Sequence, residues 1–180
     1  MDRSSLLRLM ATYNEWMNTK VYNAARELSH EEFISERGAY FGSIRGTLNH
    51  LVTADTIWLR RFANHPSASG TLRPVTDLEE PDFHDLSRFA DFRTLASHRR
   101  WLDSIISEWA SAIAEGDLDV ALRYTDRKGS TIEADFFALA IHFFNHQTHH
   151  RGQLTTLLSQ AGRDVGVTDL LALVFDRQAG

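Results

Sequence analysis

Four histidines, His142, His146, His149 and His150, crowd into nine residues of an apolar stretch with helical character, and imidazole at that density is the raw material of a metal site. On an α-helix His146 and His150 stand one turn apart on the same face, so both rings reach a single ion. His142 extends the stripe by another turn. Three rings stacked this way span roughly 12 Å, whereas a Zn–N bond is about 2.0–2.1 Å long, so one ion cannot take all three. A further ligand must come from elsewhere in the chain.

Nine histidines are available, and context removes most of them. His30, His65 and His84 lie beside predicted loops, and His98 belongs to a charged helical stretch. His50 is different, because it sits mid-helix beside an apolar stripe, in Thr47-Leu48-Asn49-His50-Leu51-Val52. A neutral imidazole buried there needs partners for both ring nitrogens, and a metal at one nitrogen satisfies half of that need. Packing His50, His142, His146 and His150 into one small bundle without metal costs about 1–3 kcal/mol for every buried nitrogen left unpaired.

Four long amphipathic segments must position these rings. Residues 5–28 place Leu6, Met10, Tyr13, Met17 and Val21 at three- and four-residue spacing. Ser29 with Glu32 forms a capping box for a short turn. Ser43 caps the second long helix, whose stripe of Ile44, Leu48, Leu51, Trp58, Leu59 and Phe62 runs to about residue 64. All three prolines then fall within residues 66–85, which predicts a long crossover bordering the site. A third helix fits residues 87–114, and the fourth covers about 133–161 with Gly162 as its C-cap. Between them Val120 to Thr125 and Ser130 to Ile132 form a short β-hairpin turning at residues 126–129. Residues 168–175 close the chain as a short apolar segment. The fold class is therefore all-α: one domain over residues 1–180, a four-helix bundle with a long crossover and a short hairpin before the last long helix.

Composition narrows the function. At 180 residues, about 70% of the unfolded surface is removed from water on folding, enough for an internal site. With 19 Lys and Arg against 24 acidic residues the net charge is −5, which disfavours nucleic acid and anionic membranes as partners. The absence of cysteine excludes disulfides, thiolate ligands and iron–sulfur clusters, so any metal is held by His, Asp, Glu or water. The start, Met1-Asp2-Arg3-Ser4-Ser5, shows no signal-peptide core and no apolar run spans a bilayer, which predicts a cytoplasmic location. H-E-x-x-H, G-x-S-x-G, phosphate-loop and dinucleotide motifs are missing.

Three stretches carry a resemblance: Tyr13-Asn14-Glu15-Trp16-Met17-Asn18; Gly46-Thr47-Leu48-Asn49-His50-Leu51 through Ala54-Asp55 to Trp58-Leu59; and Asn145-His146-Gln147-Thr148-His149-His150-Arg151-Gly152-Gln153. In these the chain resembles the DinB family over nearly its whole length. The resemblance implies a four-helix bundle, often a homodimer, with zinc or nickel on three histidines, one from the second helix and two from the H-x-x-x-H of the last. Those ligands are His50, His146 and His150; the resemblance makes neither His142 nor His149 a ligand. Three imidazoles leave an open coordination position, the arrangement of a catalytic site. The expected function is a metal-dependent enzyme that activates water or a small thiol for reaction with a small-molecule electrophile. The thiol version comes from similar members of the wider superfamily, which are low-molecular-weight thiol S-transferases or thiol-dependent isomerases. The rival reading is a non-catalytic dimeric stress-associated binding or scaffold protein with a structural or vestigial metal site.

Candidate helpers surround these ligands. Asp55 interrupts the apolar stripe and can orient a ligand imidazole or balance Arg151, or form an interhelical ion pair. His142, Asn49 and Gln153 are polar neighbours available to a substrate or to a ligand, with a solvent-facing or interhelical role the leading alternative for Asn49 and Gln153. Trp58, Phe143 and Phe144 can line an apolar pocket or sit in the core. No catalytic acid or base is evident.

Overall fold

The computed structural model describes residues 1–68, 70–126 and 128–178, with backbone alone for 176–178. Four long helices carry the fold: α1 (Arg3–Arg26), α3 (Ile44–Phe62), α5 (Phe92–Ala112) and α6 (Phe136–Gln160). Short helices α2 (His30–Ile34), α4 (Arg73–Thr76) and α7 (Leu170–Gln178) join or follow them. Strands β1 (Leu122–Thr125) and β2 (Thr131–Ala134) pair antiparallel, Leu122 opposite Ala134 and Thr125 opposite Thr131. Arg127 of the predicted turn lies outside the described residues; around it the Asp126 carboxylate accepts from the Lys128 and Ser130 amides.

In the bundle, α1 packs on α5 and α6, and α3 packs on both α6 and α5. The apolar interior, with Leu7, Ile44, Leu48, Leu59, Leu102 and Leu154 all removed from solvent, is the main favourable term. Aromatic rings thicken it at one end, where Phe62 stacks on Trp109 at 5.0 Å and meets Phe136 and Phe143 edge-on. On α1 the buried face runs through Leu7, Ala11, Asn14, Met17, Asn18 and Val21, one residue out of step with the predicted Leu6 and Met10. Two asparagines face the interior there because polar partners wait for them.

Local chemistry sets the helix ends. Ser29 and Glu32 make the expected capping box. The third long helix starts at Phe92 rather than near 87, because the Asn49 side chain takes both the amide and the carbonyl of Phe89, at 2.8 and 3.2 Å, and Asp91 then caps Thr94. The fourth starts at Phe136 rather than 133, since Glu133 and Ala134 are committed to the hairpin and Asp135 caps Ala138. It ends as expected: Gly162 has φ +72°, and the Arg163 amide donates to the Leu158 carbonyl at 2.9 Å. The crossover is more ordered than proline content implies. Arg60 donates to the carbonyls of Val75, Thr76 and Leu78, pinning α4 against the end of α3. The closing segment is helical, as α7. Among the described residues no helix is long and apolar enough to cross a membrane.

One glycine is required by packing. A Cβ at Gly46 would sit 2.1 Å from the Phe41 carbonyl oxygen, so only hydrogen lets the loop before α3 lie on the helix.

Candidate metal centre

His50 projects from the middle of α3 and His146 and His150 from successive turns of α6, two helices that pack directly. Their Nε2 atoms converge: His146 lies 3.2 Å from His50 and 3.1 Å from His150. Metal–nitrogen bonds of about 2.0–2.1 Å meeting tetrahedrally hold their nitrogens roughly 3.4 Å apart, close to these separations. Imidazoles alone do not satisfy such a cluster. The His150 Nδ1–H donates to the Gln153 Oε1 at 2.8 Å, which leaves the His150 Nε2 with a bare lone pair. One hydrogen on the His146 Nε2 cannot serve both of its neighbours, whereas a shared cation accepts all three lone pairs. The donor set fits a divalent metal.

The surroundings keep the rings in place and uncharged. His50 is 2% exposed, stacked on Phe41 at 3.9 Å and met edge-on by Phe83 from the crossover at 5.3 Å. Its Nδ1 has no hydrogen-bond partner, so aromatic packing holds that side of the ring. Burial, with His150 and His146 beside it, pushes the His50 pKa down to about 3. Burial, then His150, His142 and His149, pushes His146 down to about 4, and burial also lowers His150 against the Gln153 hydrogen bond. At neutral pH all three lone pairs are therefore available to a metal.

A stability profile follows for the metal-free protein. Unfolded imidazoles take protons near pH 6.5 while these stay neutral to well below that, so the unfolded chain binds more protons in between. Stability is then full above about pH 7 and is lost as pH falls from about 6.5 toward 4. His98, pushed down to about 4 by burial and by Arg88 and Arg99, acts in the same direction. Chelator-treated protein melted across this range should show a falling Tm on acidification; a flat profile would refute the neutral, buried state of the rings.

A family model described as the DinB family matches residues 1–178. The chain belongs to the DinB family. It is also similar to Protein DinB of Bacillus subtilis (strain 168), 26% identical over 157 residues, 87% of each chain. No solved structure matches it.

Within this DinB chain the other candidates separate by what they touch. Gln153 supports the histidine cluster, holding His150 through Oε1 while its amide nitrogen reaches His149 at 3.3 Å. Gln153→Ala should weaken metal binding about 10- to 100-fold without unfolding the protein, measured by competition with a metallochromic chelator; unchanged affinity would remove Gln153 from the site. The Asn49 side chain is spent on the Phe89 backbone and the Arg45 carbonyl. Asp55 neither contacts a ligand imidazole nor pairs with Arg151: its carboxylate bonds Arg99 of α5, the interhelical alternative. Burial pushes Asp55 up to about 6, with Arg99 opposing. Phe143 and Phe144 are core residues packed around Trp109.

His142 and Trp58 meet at 5.2 Å and, with His146, Ala54, Ile57, Arg61 and Phe83, line a cavity of about 220 Å³ beside the histidine cluster. The crossover thus borders the site through Phe83. Phe41 and Phe83, whose rings pack on His50, are residues of the candidate site that the sequence reading did not single out.

Behind the ligands runs a buried polar chain. Arg99 joins Asp55 to Asp103 at 2.9 Å; Asp103 accepts from Asn14 and Asn18 at 3.2 and 2.9 Å. Arg151 donates to Asn14 and, at 3.3 and 3.2 Å, to Asn18 and Gln147. Gln147 and Arg151 follow His146 and His150 by one residue each, so this chain fixes the rotation of α6 that turns those two histidines toward α3.

Proposed function

We propose that the protein is a metal-dependent enzyme in which His50, His146 and His150 hold a divalent cation such as zinc or nickel for the activation of water or a small thiol toward a small electrophile. The observation that carries this reading is the convergence of three neutral Nε2 atoms beside a cavity of about 220 Å³. On three imidazoles the cation keeps its double charge and an open position, and it supplies Lewis acidity that lowers the pKa of bound water or thiol.

The chain's own part is positioning and exclusion. Gln153 keeps a hydrogen on the His150 Nδ1 and so presents Nε2. Phe41 and Phe83 shield His50 from water. Trp58, Ile57 and Phe83 give the cavity apolar walls against which a small molecule loses water. Among the described residues no carboxylate lines that cavity, which favours a nucleophile that needs no carboxylate base. The other partner in this reading is a second copy of the chain, supported by Leu171 and Phe175, both more than half exposed on α7, and read out as twice the monomer mass by light scattering.

Elemental analysis of untagged protein tests the metal, with about one ion per chain expected. Chelation then separates a catalytic from a scaffolding ion. The core does not depend on the site, so the metal-free protein should keep its helical circular dichroism. Metal at 100 times its Kd adds about 2.7 kcal/mol, and each kcal/mol moves Tm by about 2–4 °C at this length, so Tm should fall by roughly 5–11 °C. Loss of the fold on chelation would favour the structural-metal reading.

A further inference from the structure

Positive charge gathers where the last turn of α1 meets α5, although the chain as a whole carries −5. Arg26 ends α1, Arg93 and Arg100 stand two turns apart on α5, and all three line one cavity of about 440 Å³. Arg26 and Arg100 also line a second cavity of about 170 Å³, so both stand where the two adjoin. Tyr22 of the smaller cavity and Phe92 of the larger lie 6.0 Å apart, ring to ring, across that junction.

Among the described residues none of these three guanidinium groups is ion-paired. Arg26 donates to the Asn23 Oδ1 at 3.0 Å and Arg100 to the Ser97 Oγ at 3.1 Å, uncharged partners that leave both charges uncompensated. The other charges in the two walls are already committed. Asp91, in the larger, caps α5 by accepting from the amide and hydroxyl of Thr94 at 2.8 and 3.0 Å. Arg99 and Asp103, in the smaller, pair at 2.9 Å within the buried polar chain, where they and Asp55 and Arg151 make two acids against two cations. Three arginines against Asp91 therefore leave the rim with two positive charges.

The smaller cavity also holds a donor with nothing to donate to. Tyr22 is 7% exposed and its hydroxyl has no hydrogen-bond partner. Burial raises its pKa against the opposing pull of Arg99, so the hydroxyl keeps its proton. A buried hydroxyl without an acceptor destabilises the fold, and in the wall of a cavity it marks a position for a ligand oxygen.

We propose that the two adjoining cavities bind a small phosphate monoester, with its phosphoryl group among Arg26, Arg93 and Arg100 and its hydroxylated body in the smaller cavity, where one oxygen accepts from Tyr22. Such an ester carries about −1.5 to −2 charges at neutral pH, which matches the rim, and guanidinium forks take phosphate oxygens in pairs. None of His50, His146 and His150 lines either cavity, so the site stands apart from the metal-enzyme reading.

The test titrates glycerol 3-phosphate, inorganic phosphate and glycerol calorimetrically into the full chain, both metal-loaded and chelator-treated. The ester should bind in both forms, at least about 10-fold more tightly than glycerol and about 5-fold more tightly than inorganic phosphate. Arg26→Gln and Arg100→Gln should each weaken the ester at least about 10-fold with unchanged circular dichroism. Tyr22→Phe, which keeps the ring against Phe92, should bring the ester down to the affinity of inorganic phosphate while leaving Tm at or above wild type, an outcome that a merely structural hydroxyl would not give. Ester binding no tighter than glycerol, or indifferent to both arginine variants, would overturn the proposal. Inorganic phosphate binding as tightly as the ester would overturn the assignment to a monoester. Binding confined to metal-loaded protein and surviving the arginine variants would place the phosphoryl group on the cation, which removes this site and leaves the proposed function standing.

Discussion

His146→Ala protein should retain less than about a tenth of the wild-type metal and bind it at least about 100-fold more weakly, beyond what loss of a supporting hydrogen bond produces. Its Nε2 is the one that touches both others, at 3.2 and 3.1 Å, so removing it leaves His50 and His150 without a common neighbour. His50→Ala and His150→Ala should follow closely. His142→Ala should keep its metal, because that ring stands 6.1 Å from His146 and leans on Trp58 instead. Inductively coupled plasma analysis of the four variants decides the matter: equal metal in wild type and His146→Ala would refute the ligand assignment, and loss in His142→Ala would redraw it.

The second large effect lies away from the metal. Arg99→Ala should cost about 3–5 kcal/mol, because it strips the counter-charge from two buried carboxylates at once. Asp55 and Asp103 are 1% and 4% exposed, and Arg99 is the only cation in contact with either among the described residues. At about 2–4 °C per kcal/mol the midpoint should drop by roughly 10 °C. Arg3→Ala makes a fair comparison, since its ion pair with Glu115 is just as close, at 2.6 Å, but more than a third exposed on both sides. That change should cost far less, because solvent screens the exposed pair. Denaturant melts giving equal losses for the two variants would show that burial does not set the value of the Arg99 pairs.

Much of the site was legible because its donors obey helical arithmetic. His146 and His150 are one turn apart, and His50 falls mid-helix beside an apolar stripe, so their faces follow from spacing. That the two helices pack on each other was carried by the family resemblance, since one sequence does not specify which helices are neighbours. Phe41 and Phe83 escaped notice because they sit in non-periodic segments, where no repeat marks a residue as inward-facing. Asn14 and Asn18 were invisible as core for the opposite reason: polarity at those positions reads as a solvent face until Asp103 and Arg151 are seen opposite them. Asn49 adjoins His50 in sequence, yet a helix turns each successive side chain by about 100°, which sends it to the Phe89 backbone before α5, a structural role of the kind its alternative reading allowed. The late starts of α5 and α6 share this origin, since a side-chain clamp and a strand pairing each overrode local propensity.

The contact at Gly46 gives the site a mechanical property. With the Phe41 carbonyl seated where a methyl group would otherwise be, and the Phe41 ring flat against His50, the loop and the helix turn beneath it have no slack between them. Gly46→Ala would prise the loop outward by an ångström or so (~1 Å) and carry the imidazole's backing plate with it. A residue with no side chain, four positions upstream, thereby sets the tolerance to which the imidazole of His50 is machined.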